Sequence, residues 1–288
     1  MKGKTIVATG ATSGIGEVAV LALARMGARI VFIARDERRA EATLKKLETL
    51  APRLGHARHL ADLSLIAETR RVGQAIAEQE PRVDVLINNA GAMFSDRRVT
   101  PEGLEMTFAL NHMAYFTLTA TLTEKLAASA PARIVSTSSN AHQGARLDFS
   151  DLQSAKRYSG FQVYGRSKLA NILFTRELAR RLAGTGVTAN CFHPGFVATR
   201  FGDASGGLTS LLIPFARIFA ITPEQGADTL VHLASSPDVA NVTGAYFVKR
   251  KGAEPSPAAR DDAAAKRLWE SSEALAGPGP ATVSVRSG

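Results

Sequence analysis

A tyrosine and a lysine four residues apart, Tyr164 and Lys168, are the side chains in this sequence best suited to acid–base chemistry. On an α-helix this spacing places both side chains on one face. A phenol has an ordinary pKa of about 10, but a neighbouring cation favours the phenolate and lowers that pKa toward the range of a general acid. A surface tyrosine and a solvated lysine show the same spacing, so the segments around the pair must decide its meaning.

The amino terminus predicts a strand, a glycine loop, a helix and a second strand. The apolar run 4–9 leads into three glycines spaced Gly-x-x-x-Gly-x-Gly over residues 10–16, and a β-branched run follows at 28–34. Glycines at such a turn let the backbone approach a pyrophosphate, and the helix amino terminus offers N–H groups to phosphates. The unit therefore predicts dinucleotide binding; the alternative is an ordinary α/β turn with structural glycines.

Two further strand ends carry polar side chains. Asn88-Asn89-Ala90-Gly91 follows the apolar run 83–87, and the strand beginning at Arg133 ends in the hydroxyls of residues 136–139. Open α/β sheets bind ligands at the carboxyl ends of their strands, so these segments are expected to meet in one crevice. Asparagine and serine also form ordinary turns, which is the alternative for each segment taken alone.

Strands and helices alternate along the 288 residues, which predicts an α/β fold with one doubly wound parallel sheet and helices on both faces. Strands are expected near 4–9, 29–34, 56–60, 83–87, 132–137, 187–192 and 243–248, and helices near 14–26, 37–50, 64–79, 102–128, 162–183 and 223–234.

Taken in order, these motifs resemble the short-chain dehydrogenase/reductase family over roughly residues 1–250. The matching segments are Thr9–Gly16, Asn88–Gly91, Asn111, the strand-end serine, Tyr164–Lys168 and Pro194-Gly195. Residues 151–153, 167–171 and 193–195 are similar to the retinol-dehydrogenase-like branch. The resemblance implies a Rossmann-type fold in a domain spanning 1–252, with a substrate lid near 200–222. Beyond this domain the Ala-, Pro- and charge-rich composition predicts a helical extension at 253–276 and a disordered tail at 277–288.

The resemblance also implies the catalytic roles. Tyr164 matches the proton donor to the carbonyl oxygen, and Lys168 matches the residue that lowers the tyrosine pKa and binds the nicotinamide ribose. Ser139, the second of its serine pair, matches the residue that orients the substrate oxygen, and Asn111 matches the residue that holds a water in the proton relay. Tyr158 is a weaker alternative to Tyr164, because glutamine rather than lysine lies four residues after it.

The choice between NAD(H) and NADP(H) depends on the end of the second strand. Counting about 20 residues from the glycine loop selects Asp36 and predicts NAD. The family's NAD-selecting acid instead falls at Ala34, followed by Arg35, whose guanidinium suits a 2′-phosphate. Arg38 and Arg39 add positive charge, although arginines are also common in a solvated helical turn. NADP(H) is therefore favoured.

The full set of cofactor contacts implied by the resemblance is Gly10, Thr12, Ser13, Gly14, Ile15, Gly16, Arg35, Asp62, Leu63, Asn89, Ala90, Gly91, Tyr164, Lys168, Pro194, Gly195, Val197 and Thr199. Within this set Asp62 would contact the adenine ring, and its alternative is a carboxylate at a helix start. Thr199 would bind the nicotinamide amide.

The expected reaction is hydride transfer between NADP(H) and a carbonyl/alcohol pair. The segment 143–161 is longer than in many family members and is expected to form a flap beside the substrate. The apolar stretch 205–221 suggests an apolar substrate, retinal-like, steroid-like or long-chain; it could also pack in the core, at a subunit interface or on a membrane. The alternative function is a non-catalytic NADP(H)-binding sensor or scaffold.

Composition limits the partners. The net charge is +9 and the pI is near 10.0, but aromatic residues make up only 6% of the chain, so a stacking platform for nucleic acid is not expected. The basic run 249–251 is interpreted as a solvated loop. Neither a metal site nor the Gly-x-Ser-x-Gly elbow of hydrolases is found in the sequence.

The single cysteine, Cys191, is expected to pack in a strand, which fits a reducing compartment. Because the first strand is predicted to begin near residue 4, neither a signal peptide nor an anchor helix is expected before it. A cytoplasmic location is therefore expected. The resemblance further suggests a homodimer or homotetramer.

Overall fold

The computed structural model describes residues 1–195 and 222–278, which form one eight-stranded sheet with the order β3-β2-β1-β4-β5-β6-β7-β8. Every neighbouring pair is parallel except β7 and β8, which are antiparallel. The strands are β1 (Thr5–Thr9), β2 (Arg29–Ala34), β3 (Ala57–Leu60), β4 (Val85–Asn88), β5 (Ala132–Thr137), β6 (Val187–His193), β7 (Tyr246–Val248) and β8 (Lys251–Ala253).

Helices cover both faces of this sheet, as the sequence predicts. One core cluster joins the sheet to α1, α2 and α7, and a second joins the other face to α3, α5, α6 and α8. The helices are α1 (Gly14–Arg25), α2 (Glu37–Leu50), α3 (Ile66–Gln79), α4 (Met106–Phe108), α5 (Ala114–Ala128), α6 (Gly160–Arg181), α7 (Pro223–Ser235) and α8 (Asp262–Ala276).

The central strands are apolar because both of their faces are covered. All five residues of β1 and all four residues of β4 are buried, as expected for parallel strands between two helix layers. The chain winds outward in opposite directions from β1 and β4, so a crevice opens at their carboxyl ends. The glycine loop and the Asn88–Gly91 segment both lie at this edge.

Two elements differ from the sequence expectation. The helix expected over 102–128 begins at Met106, where the Glu105 carboxylate accepts from two backbone N–H groups, and it contains a π-helical turn at Ala109–Met113. The run 249–251 is not a simple loop: Lys249 and Arg250 have positive φ and form a tight turn, and the next residue opens β8.

The chain after the sheet packs against α6. Asp262 pairs with Arg176 at 2.9 Å and with Arg180 at 2.8 Å, and the Trp269 ring stacks on Phe174 with centroids 5.8 Å apart. Cys191 is buried in β6. Of the helices in the described ranges, none is both long and apolar enough to span a bilayer.

Candidate active site

The glycine loop is a place where backbone segments approach one another closely. Gly10 has φ +66°, and a Cβ at this residue would lie 2.9 Å from the backbone nitrogen of Ala90. A Cβ on Gly16 would lie 2.1 Å from the carbonyl oxygen of Gly10. Both positions therefore require glycine, one for its backbone conformation and both for space.

Hydroxyl and amide side chains join the ends of β1, β4 and β5. Thr9 Oγ1 accepts from the backbone nitrogens of Asn89 and Ala90 at 2.9 and 3.0 Å. The Asn89 side chain donates to the Gly10 carbonyl at 3.2 Å and accepts from Thr137 Oγ1 at 3.0 Å. The sequence reasoning did not select Thr9 or Thr137 as site residues, although a hydroxyl at a strand end was the available signal.

Asn111 lies in the π-helical turn and holds the loop after β4. Its side chain accepts from Ala92 N at 2.8 Å, and its Nδ2 donates to Ala92 O and to Ser167 Oγ, both at 2.9 Å. Both amide protons of Asn111 are thus used by the protein. Any water held by this residue would have to bind a remaining oxygen lone pair or the backbone.

Ser139, Tyr164 and Lys168 lie together at the carboxyl end of β5. The Ser139 hydroxyl accepts from Ala141 N at 3.2 Å, and its proximity to the Tyr164 phenol lowers the pKa of that phenol. Lys168 Nζ donates to Thr137 O at 3.3 Å and lies 5.5 Å from the centroid of the Tyr164 ring. Ser138 instead donates to the Lys168 backbone carbonyl at 2.8 Å, which supports the choice of Ser139 as the site serine.

The protonation of this group differs from the sequence expectation. Burial raises the pKa of Tyr164 to about 12, and the nearby Ser139 hydroxyl offsets only part of this rise. Burial also lowers the pKa of Lys168 to about 7. Because the lysine is only partly charged near neutral pH, its pull on the phenol is weak, and burial has the larger effect on the Tyr164 pKa.

Tyr158, the alternative tyrosine, has a different environment. Its hydroxyl lies 3.0 Å from Phe94 O and 3.3 Å from Glu105 Oε1. A Cβ on Gly160 would lie 2.3 Å from the same Phe94 oxygen. The end of the segment expected to form a flap therefore packs closely on the loop after β4, and Tyr158 helps to hold it there.

At the other end of the crevice, arginines flank the glycine loop. Arg35 is 75% exposed, with its Nη1 atom 3.9 Å from Asp62 Oδ2. Arg39 Nη2 donates to the Thr12 carbonyl at 3.1 Å. Asp36 caps α2 by accepting from Arg39 N at 2.8 Å. The acid that favoured NAD by simple counting is thus engaged in capping a helix.

The remaining predicted contacts have the following positions. Asp62 accepts from Ser64 N at 3.0 Å and Ser64 Oγ at 2.7 Å, which matches the alternative of a carboxylate before a helix. Leu63 is buried beside it. Pro194 and Gly195 follow β6 directly. Val197, Thr199 and the stretch 205–221 lie outside the described residues.

The crevice fits a dinucleotide. At Gly10 and Gly16 the neighbouring backbone segments lie too close to leave room for a side chain. The helix α1 begins at Gly14, and the Ser13 side chain does not cap its amino terminus. Its first-turn N–H groups and partial positive charge suit a pyrophosphate. At the other end, a Cβ on Gly91 would lie 3.0 Å from Asn111 Oδ1 and 3.4 Å from Lys168 Nζ. The crevice therefore leads from the arginines to Lys168.

A parallel sheet whose switch-point crevice suits a dinucleotide, with a tyrosine, a serine and a lysine at one end of that crevice, is the arrangement of a nicotinamide-dependent oxidoreductase. The sequence profile described as "short chain dehydrogenase" matches residues 4–206. The chain belongs to this family, in its retinol-dehydrogenase-like branch.

Individual relatives agree with this assignment. Human retinol dehydrogenase 13 is 43% identical over 283 residues, covering 96% of this chain and 85% of that protein. Among solved structures, an uncharacterized protein from Mycobacterium paratuberculosis is 32% identical with a TM-score of 0.77, covering 96% of this chain and 94% of that one. The Pseudomonas aeruginosa RhlG/NADP complex is 29% identical with a TM-score of 0.67, covering 86% of this chain and 94% of that chain.

We expect Gly16→Ala to weaken NADPH binding by at least about tenfold, because the added Cβ would meet Gly10 O at 2.1 Å and Asn89 Nδ2 at 2.5 Å and displace the loop. The measurement is a fluorescence titration with NADPH, with a thermal melt to verify folding. Gly252→Ala is the matched control, since a Cβ there has no heavy atom within 4 Å. An unchanged Kd in a folded Gly16→Ala protein would contradict the close-approach argument.

We expect Gly165→Ala to lower kcat by about tenfold to a hundredfold, as displacements near 1 Å do in enzyme sites. Its Cβ would lie 2.6 Å from Ala141 O, so α6 and the turn carrying Ser139 would have to separate. The affinity for NADPH is expected to stay within about twofold. Steady-state kinetics and the same titration measure both effects, and a normal kcat would show that the contact is dispensable.

Proposed function

We propose that this protein is an NADP(H)-dependent oxidoreductase acting on an apolar aldehyde or ketone and the corresponding alcohol. The observation that carries the proposal is that the Ser139 hydroxyl, the Tyr164 phenol and the buried Lys168 amine lie together, with the amine 5.5 Å from the phenol ring centroid. These three groups lie where the sheet opens its ligand crevice. Family membership supports the reaction class, and the residue roles are our assignment.

In the proposed reduction, Tyr164 donates its proton to the carbonyl oxygen of the substrate. The Tyr164 phenol is protonated at neutral pH, as a proton donor must be, although burial raises its pKa to about 12 and makes it a weaker acid than a solvated tyrosine. Ser139 hydrogen-bonds the same oxygen and orients it. When bound, the nicotinamide cofactor supplies the hydride in reduction and accepts it in oxidation.

Lys168 and Asn111 support this proton transfer. The Lys168 amine, with a pKa lowered to about 7, can both hold and release a proton near neutral pH. Its hydrogen bond to Thr137 O fixes it between the phenol and the loop after β4. Asn111 holds that loop through Ala92, so it acts by positioning the cofactor side of the crevice.

The preference for NADP(H) rests on charge at the end of β2. Ala34, the last residue of β2, offers no carboxylate, and Arg35 is exposed beside the crevice. Arg39 reaches the glycine loop at Thr12 O. Two guanidinium groups near the expected adenosine ribose would attract a 2′-phosphate. The related RhlG structure is described as an NADP complex, which is consistent with this preference.

Two observations support an apolar substrate, one beside the phenol and one among the relatives. Phe161 precedes Tyr164 by three residues on α6, so the two share a helix face, and its ring is 67% exposed. Relatives of this chain are named retinol dehydrogenases, and retinol is an apolar alcohol. The cytoplasmic location and the homo-oligomer stay predictions.

We expect Tyr164→Phe to reduce kcat by about a thousandfold or more, because removing the proton donor removes general-acid catalysis and the oxygen's hydrogen bond together. The measurement is NADPH oxidation, followed by absorbance, across aldehydes and ketones of graded size and apolarity. NADPH affinity should change by less than about twofold.

Tyr158→Phe is the control, since its hydroxyl bonds Phe94 O and Glu105 rather than Ser139. A fully active Tyr164→Phe enzyme would refute the assigned role. Tight NADPH binding by the wild type without turnover of any compound would instead favour a non-catalytic sensor or scaffold.

We expect Arg35→Asp to raise the KM for NADPH at least about tenfold while changing that for NADH little, because a carboxylate repels the 2′-phosphate and suits the 2′-hydroxyl. Kinetics with both cofactors measure the effect. Arg25→Asp makes the same charge change at the far end of α1 and should alter neither value. Equal effects of Arg35→Asp on both cofactors would contradict the assignment.

A further inference from the structure

The turn that carries Ser139 is bonded to a fully buried imidazole, that of His142. His142 Nδ1 lies 2.7 Å from Ser139 O, and since a carbonyl oxygen only accepts, Nδ1 carries the proton. Nε2 accepts from Ser256 N at 3.1 Å. The ring is therefore neutral, in the Nδ1–H tautomer, and both of its nitrogens are engaged.

A second imidazole, His193 at the end of β6, holds the other side of the same turn. Its Nδ1 lies 3.2 Å from Asn140 N and 3.4 Å from Gly195 N. Both partners are backbone donors, so Nδ1 has no proton and His193 is the Nε2–H tautomer. This ring links the residue after Ser139 to the Pro194-Gly195 segment on the cofactor side.

The third contact of the turn is α6 itself. Gly165, next to Tyr164, allows Ala141 O to approach so closely that a Cβ would lie 2.6 Å from it. Burial lowers the pKa of both histidines, that of His193 to about 4, which keeps both rings neutral as their hydrogen bonds require. The turn is thus fixed from β6, from the C-terminal segment and from α6.

We infer that His142 and His193 are positioning residues that clamp the Ser139 turn and hold the Ser139 hydroxyl against the Tyr164 phenol. This inference rests on the proposed function for its catalytic consequence. His142 acts through the Ser139 carbonyl oxygen, and its bond to Ser256 makes the chain beyond β8 part of the support of the site. Neither imidazole needs to touch the substrate.

Two near-isosteric variants separate the two bonds of His142. Asparagine places an amide N–H near the position of Nδ1 and keeps the bond to Ser139 O, whereas glutamine places its amide near Nε2 and keeps only the bond to Ser256 N. We expect His142→Asn to retain kcat within about fivefold and His142→Gln to lose about tenfold to a hundredfold, with the KM for NADPH unchanged in both.

A double-mutant cycle tests whether His142 acts through Ser139. The effect of His142→Gln should largely vanish in a Ser139→Ala background, since coupled residues are non-additive. His232→Gln on α7, which covers the opposite face of the sheet, is the matched control and should be silent. Equal losses in His142→Asn and His142→Gln, or additive effects with Ser139→Ala, would overturn the inference.

A readout without turnover separates this inference from the proposed function. Nitrogen-15 spectra of the histidine rings in the full chain should show His142 as Nδ1–H and His193 as Nε2–H, with assignments from His142→Gln and His193→Asn. If an active enzyme showed His142 as the Nε2–H tautomer, the positioning role of His142 would be overturned while the proposed function would stand. If the wild-type protein showed both assigned tautomers but turned over no substrate, the positioning of the Ser139 turn would be supported and the proposed function would be overturned.

Discussion

The site depends on one side-chain amide, that of Asn89, which joins the ends of three strands. It donates to the Gly10 carbonyl after β1 and accepts from Thr137 at the end of β5, while its own backbone follows β4 and is held by Thr9. The Thr137 carbonyl in turn accepts from Lys168. The glycine loop and the catalytic helix are therefore positioned through one continuous set of hydrogen bonds. Because Thr9, Thr137 and Lys168 are buried, each hydrogen bond that they failed to make would be costly.

Burial is the main influence on the protonation of the tyrosine and the lysine. Desolvation moves the two pKa values in opposite directions, so both the phenol and the amine are pushed toward their neutral forms. A neutral phenol is a proton donor ready for reduction. A lysine with a pKa of about 7 can change its charge with the state of the site, whereas a solvated lysine would stay charged. The low-dielectric environment thus shifts both pKa values in a direction that the sequence spacing alone does not predict.

Local patterns were sufficient to predict the fold and the ordered motifs. The apolar runs of β1, β2 and β5, the glycine loop and the helix carrying Tyr164 each have a signal within a few residues, and the structure has all of them near the expected bounds. What could not be predicted depends on contacts between distant segments. The π-helical turn at Asn111 and the antiparallel β8 have no periodicity of their own. The pKa of Tyr164 was expected to fall because the sequence shows the nearby cation and not the extent of burial.

The C-terminal chain is the clearest case of such long-range support. His112, beside Asn111 in the π-helical turn, lies 2.8 Å from Ser272 Oγ, which itself donates to Leu268 O, so the imidazole Nε2 is the donor to Ser272. Asp262 binds the far end of α6 through two arginines. Together with the bond between Ser256 and His142, these contacts reach three of the elements that carry the proposed catalytic residues. A chain that ended after β7 would keep the glycine loop and the Tyr164–Lys168 spacing, yet it would leave the imidazoles of His112 and His142 without these partners. The segment after the sheet is therefore better described as a structural support of the active site than as an extension independent of the dinucleotide-binding fold.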